Sequence, residues 1–149
     1  MYRNKHSTAV IFLTHLIDRS VKGEIKDIIS ECSESHDVFI LCDNTKGIFE
    51  HYRENDKFFL FTKEDMRSLA YPGKSASALR SSASAGDAHH RNFNIQPGDV
   101  ELPVLHFFHR FPDYDFYWVI EYDVRFSGSW RAFFEAHASN PADLLGTTL

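Results

Sequence analysis

The stretch Ser7-Thr-Ala-Val-Ile-Phe-Leu-Thr14 decides the fold that we predict for this chain. Its apolar residues are nearly continuous, which is typical of a strand buried on both faces of a parallel sheet. From Ser20 to about Ser33, apolar residues recur at helical spacing, with Ser20 as the candidate N-cap. A second apolar run follows over Asp37-Val-Phe-Ile-Leu-Cys42. Strand, helix and strand in this order predict a right-handed βαβ unit with parallel strands.

The alternation of strands and helices continues toward the C-terminus, and it predicts one α/β domain over residues 1–149. We expect a Rossmann-like, mostly parallel sheet with helices on both faces. The further predicted elements are a strand over residues 57–62, a helix from Lys63 to about Leu69 opened by a capping box of Thr62 and Asp65, a helix from Val100 to Phe111 capped by Asp99, a strand from Asp115 to Ile120, a helix from Trp130 to about Ala138 and a strand over residues 142–147.

A long segment rich in Ser, Ala and Gly lies between Tyr71 and Asp99, after the helix that starts at Lys63 and before the helix that starts at Val100. It has almost no apolar periodicity, so we predict a loop there. Long loops within a compact domain are usually functional or mobile, and we expect a mobile loop over residues 71–99.

Composition excludes several classes of protein. The chain has 149 residues and a net charge of −5, with no block of Lys or Arg, which argues against a nucleic-acid partner. Cys32 and Cys42 are too few for a disulfide framework, so a reducing cytoplasm is expected. No apolar run approaches the roughly 20 residues that a membrane-spanning helix needs. Glycine-rich dinucleotide and P-loop motifs are missing, as is the Gly-x-Ser-x-Gly of serine hydrolases.

Polar side chains follow three of the predicted strands at the point where each strand ends. Ligands of open parallel sheets bind outside these carboxyl ends, so we expect the three groups to share one edge. Two carboxylates one residue apart can turn toward one point, and hard divalent cations prefer such oxygen ligands. The three groups are Thr14-His15, Asp43-Asn44 and Glu121-Tyr122-Asp123.

The stretch Asp115-Phe-Tyr-Trp-Val-Ile-Glu-Tyr-Asp-Val-Arg-Phe-Ser-Gly-Ser-Trp130 resembles the strand, acidic-x-acidic motif and following helix of GT-A glycosyltransferases, the nucleotide-diphospho-sugar transferase superfamily. This resemblance implies that Asp123 holds a divalent metal, Mn²⁺ or Mg²⁺, with Glu121 at the ribose or supporting the metal. It also implies that Thr14 and His15 lie against the base and ribose, and that Asp43 reaches the base or sugar. The donor would be a UDP- or GDP-sugar and the acceptor a carbohydrate or another molecule. No catalytic base is identified.

Other interpretations of the same residues remain open. Glu121 and Asp123 can be surface acids that end a strand, and Asp43-Asn44 can be a simple turn. The chain ends where GT-A enzymes continue into an acceptor-binding half, which predicts a truncated transferase. The alternative function is a non-catalytic Rossmann-like interaction module whose aromatic-rich edge pairs with another chain, with self-association as the sign of it.

Overall fold

The computed structural model describes residues 7–69, 100–142 and 145–146. Within them a sheet of four parallel strands is flanked by four α-helices, which confirms the predicted α/β, Rossmann-like fold. In chain order the elements are β1 (Thr8–Thr14), α1 (Arg19–Cys32), β2 (Asp37–Asp43), a 3₁₀ turn (Glu50–Tyr52), β3 (Phe58–Phe61), α2 (Lys63–Ser68), α3 (Glu101–Arg110), β4 (Phe116–Glu121) and α4 (Trp130–His137).

The strand order β3-β2-β1-β4 places a reversal of chain progression between β1 and β4. The chain first adds strands on one side of β1 and then crosses to the other side to form β4. In doubly wound sheets the crevice at such a reversal is where ligands bind, because the loops on its two sides diverge. The carboxyl ends of β1 and β4 are therefore the positions at which this fold favours a site.

Helices pack on both faces of the sheet. Successive side chains of each strand point to opposite faces, so alternate residues contact different helices. Ile11, Leu13 and Leu41 pack with residues of α2 and α3 on one face. Val10, Phe12 and Ile40 pack with residues of α1 and α4 on the other face. The central strand β1 is buried from Ala9 to Thr14, which explains why its apolar run is continuous.

The predicted capping box of α2 is confirmed: the Thr62 hydroxyl caps the Asp65 amide, and the Asp65 carboxylate accepts from the Thr62 amide at 2.7 Å. The predicted N-cap of α1 is wrong. Asp18 caps this helix, its Oδ1 accepting from the Val21 amide at 2.8 Å, and Ser20 lies inside the helix. Asp and Ser are comparable N-caps, so the sequence allowed either one.

Both ends of strand β4 lie one residue later than predicted. Strand β4 begins at Phe116 and includes Glu121, whereas we expected it to start at Asp115 and end at Ile120. Helix α4 is capped by Ser129, whose hydroxyl accepts from the Ala132 amide at 3.3 Å. Helix α3 buries Leu102 and Phe107, whereas Phe108 is 42% exposed.

Three predictions fall wholly or partly outside the described residues. These are the loop over residues 71–99, the Asp99 cap and half of the strand over residues 142–147. The described residues 142, 145 and 146 of that segment are not in a strand. In the part of the chain that the structure describes, no helix is long and apolar enough to cross a membrane.

Candidate functional site at the carboxyl edge of the sheet

The end of β1 is buried and makes its own tight turn. The Thr14 side chain is only 2% exposed, and its hydroxyl interacts with both the amide and the carbonyl group of Leu16. His15 follows and is partly buried. The turn between β1 and α1 is thus fixed by Thr14, while His15 is the side chain that this turn presents at the edge.

The end of β2 leads into a turn that is held by several hydrogen bonds. Asp43 Oδ1 accepts from the Thr45 amide at 2.8 Å, and the Thr45 hydroxyl accepts from the Lys63 amide at 3.0 Å. Gly47 adopts a φ of 71°, a left-handed conformation that favours glycine. The Asp43 side chain is 7% exposed, so it lies just below the surface of this edge.

Asn44 is the centre of this turn. Its Oδ1 accepts from the Phe49 amide at 2.9 Å, and its Nδ2 donates to Glu50 Oε2 at 2.9 Å. Its own amide donates to the Phe61 carbonyl oxygen at 2.7 Å, which joins the turn to β3. The side chain is 4% exposed, and these contacts give it a structural role.

The end of β4 delivers the acidic motif. Glu121 is the last residue of the strand, and the Val124 amide donates to its carbonyl oxygen at 3.0 Å, which closes a turn over residues 121–124. Glu121 and Asp123 are both exposed, while Tyr122 between them is partly buried against the core on the α1 side. Among the described residues, no hydrogen bond or ion pair engages either carboxylate.

The structure brings the ends of β1 and β4 into direct contact. The rings of His15 and Tyr122 lie 4.6 Å apart, centroid to centroid, with their planes perpendicular. This contact follows from the register, in which Leu13 of β1 pairs with Leu41 of β2 and with Glu121 of β4. The three predicted strand ends therefore share one edge, as the parallel sheet implied.

Electrostatics at this edge act on His15. Burial lowers the pKa of its imidazole below the usual value, and the nearby Asp43 carboxylate is the largest opposing effect. Lys46 lowers the same pKa, and Asp123 raises it. The charges of both Asp43 and Asp123 thus reach His15, although β2 and β4 lie on opposite sides of β1.

The edge has two exposed acids on one turn and a third acid nearby, but it has no compact cluster of ligands. Within the described ranges, no group of three or more His, Cys, Asp or Glu side chains could hold a metal ion by itself. Any cation bound here would take most of its ligands from water or from an anionic ligand.

The family model described as "Protein of unknown function (DUF3405)" matches residues 52–142. The chain belongs to this family. The matched region contains β4, the turn over residues 121–124 and α4, but it leaves out β1, α1 and β2. Glu121 and Asp123 are therefore inside the family's segment, whereas Thr14, His15 and Asp43 are outside it. No curated protein and no solved structure gives a significant match to the chain.

Two cavities elsewhere do not include the predicted site residues. One of about 460 Å³ lies at the opposite, amino-terminal edge of the sheet, beside Phe116, Trp118 and His137. The other, of about 400 Å³, lies beside α1 and includes Lys22 and Tyr52 in its lining.

Sequence reasoning missed two residues that organise this edge. The contact of Tyr122 with His15 joins two strands that are more than 100 positions apart, so no local pattern reports it. Arg125, two residues after Asp123, contacts the acidic turn and α1. A single basic residue after an acidic motif is too common a pattern to be singled out from one sequence.

Proposed function

We propose that this chain binds a nucleoside-diphosphate sugar through a divalent cation at Asp123 and Glu121, and that it serves glycosyl transfer. The observation that carries the proposal is the position of these acids. They lie at the carboxyl end of the parallel strand β4, at the point where strand order reverses, and they are exposed. The likeness of residues 115–130 to GT-A glycosyltransferases supplies the class of ligand.

The charge of the edge supports a role for the cation. Glu121 and Asp123 lie on one turn, the charges of Asp43 and Asp123 both act on His15, and a diphosphate is itself strongly anionic. Such a ligand would be repelled unless a cation lay between them. Mn²⁺ or Mg²⁺ bound to one or two carboxylates keeps positions open for phosphate oxygens, which suits a site with few protein ligands.

Each residue at the edge has a proposed role. Asp123 binds the cation, and Glu121 either shares it or accepts from the ribose hydroxyls. The cation offsets the negative charge that develops on the departing nucleoside diphosphate. His15, with Tyr122 against it, offers a ring surface beside the base and ribose, and Asp43 lies where it can accept from the base or sugar. Thr14, being buried, acts through the backbone turn that it fixes.

The test is isothermal titration of UDP, and separately of GDP, into the purified chain with Mn²⁺ and then with EDTA. We expect binding that needs the metal and that weakens at least about tenfold in Asp123→Asn. Asp113→Asn is the matched control, because Asp113 is an exposed acid in the loop before β4, at the opposite end of this strand. Failure of the folded chain to bind either nucleotide in the presence of Mn²⁺ would overturn the proposal.

A second candidate function is an interaction module that pairs through β4. Within the described residues β4 is an edge strand, and Phe116 and Val119 are 52% and 41% exposed. Exposed apolar edge strands pair readily with other chains. Soluble proteins usually prevent this pairing by placing charged residues or Pro in the edge strand. Between its two ends β4 contains no charged residue and no Pro. This observation favours an interaction module that pairs with another chain over a protein that stays monomeric.

A further inference from the structure

Arg125 connects the acidic turn to α1. Its Nη1 donates to the carbonyl oxygen of Tyr122 at 2.7 Å and to that of Val124 at 3.0 Å. Its Nη2 donates to the Ser20 hydroxyl at 3.3 Å, and its Nε lies 3.7 Å from Glu24 Oε1. One guanidinium group thus contacts two peptide units of the turn and two residues of the first two turns of α1.

Among the residues that the structure describes, the turn has little other support. Glu121 and Asp123 are exposed, and the Val124 amide is held within the turn by its bond to the Glu121 carbonyl oxygen. Tyr122 packs inward, but its ring fixes only the middle of the turn. Loss of the guanidinium group would remove the hydrogen bonds that join the backbone of the turn to α1.

The geometry points to Arg125 as a positioning residue that holds the turn over residues 121–124, and with it both acids, in a fixed place against α1. As a means of placing a cation and a diphosphate, this role rests on the proposed function. The residue itself binds neither. Arginine suits the task because its planar fork presents several donors in fixed directions, whereas a lysine ammonium is a single point charge.

Arg131 provides a matched control. It also joins a segment after β4 to α1, with Nε donating to the Glu31 carbonyl oxygen at 2.7 Å and Nη2 to Glu34 Oε2 at 3.0 Å. These contacts are at the C-terminal end of α1 and do not reach the acidic turn. Arg125→Ala and Arg131→Ala therefore both remove a bridging guanidinium group, but only the first should loosen the turn.

The first measurement is amide hydrogen exchange by NMR on the ligand-free, folded variants. Loss of hydrogen bonds from a charged donor should raise the rate of local opening, so we expect the Val124 amide to exchange about tenfold faster in Arg125→Ala. We expect no change at Val124 in Arg131→Ala. An unchanged Val124 rate in Arg125→Ala would overturn the inference.

The second measurement is UDP affinity with Mn²⁺ and with EDTA for the same variants. We expect Arg125→Ala to lose about tenfold in the metal-dependent part of the affinity, and Arg131→Ala to keep it. If Val124 exchange rises but the Mn²⁺-dependent affinity stays intact, Arg125 holds the turn without positioning the site, and the inference is wrong. If the wild-type chain binds no UDP, the proposed function fails, while Val124 exchange still decides whether Arg125 holds the turn.

Discussion

The rings of His15 and Tyr122 meet at right angles with their centroids 4.6 Å apart, and this contact joins the residues that follow the paired ends of β1 and β4. These two strands flank the reversal of strand order, so the contact lies where a Rossmann-like sheet favours a ligand. The acids of the β4 turn and the acid at the end of β2 lie on either side of it.

The first prediction concerns the pKa of His15. Burial lowers this pKa, while Asp43 and, to a smaller extent, Asp123 raise it by stabilising the imidazolium ion. Asp43→Asn and Asp123→Asn should therefore lower the pKa further, with the larger change in Asp43→Asn. The measurement is an NMR titration of the imidazole protons, with the His15 signal assigned among the 9 histidines by comparison with His15→Gln.

Asp113→Asn is the control for this titration and should leave the His15 pKa unchanged, because Asp113 precedes β4 at its other end. A pKa of His15 that does not respond to Asp123→Asn would contradict the placement of the acidic turn beside β1.

The lowered pKa of His15 also makes the stability of the fold depend on pH. The unfolded chain takes up a proton near pH 6.5 and the folded chain only at lower pH, so the His15 contribution to stability is lost as pH falls below about 6.5.

The second prediction concerns Asn44. Asn44→Ala removes the acceptor of the Phe49 amide and the donor to Glu50, and it leaves a buried backbone N–H group unpaired. We expect the free energy of unfolding to fall by about 2 kcal/mol, as measured by urea denaturation. Asn55→Ala is the control: its Oδ1 accepts from the Lys57 amide at 3.0 Å, but at an exposed position, so a loss of only about 0.5 kcal/mol is expected. Equal losses in the two variants would argue against a structural role for Asn44.

The sequence predicted the sheet better than it predicted the site. The apolar runs of β1 and β2 and the helical spacing of α1 are local patterns, and the parallel sheet follows from their order. That parallel sheet also implied that the ends of β1, β2 and β4 share an edge. Asn44 supports the loop after β2 through side-chain hydrogen bonds within that loop, and Arg125 supports the acidic turn through contacts with α1. Hydrophobic periodicity reports neither kind of contact.

The third prediction concerns the two cysteines. Burial raises the pKa of Cys42 to about 12, with Asp43 adding to the effect, and burial raises that of Cys32 to about 11. The thiolate is the reactive form, so both thiols should resist alkylation by iodoacetamide at pH 8 in the folded chain. Quantification by mass spectrometry should find modification of both only after denaturation. Rapid labelling of either cysteine in the folded chain would contradict its burial.

The fourth prediction tests the interaction module. If copies of the chain pair through β4, Val119→Lys should convert dimers or larger species into monomers, because it places a charge in the middle of the edge strand. Val124→Lys is the matched control, since Val124 is similarly exposed, at 43%, but lies outside the strand. Sedimentation velocity over a range of protein concentrations measures the change. Association that both variants reduce equally would point to general surface hydrophobicity, and a wild-type chain that stays monomeric at all concentrations would exclude self-pairing through β4 and leave the nucleotide-binding function as the better account.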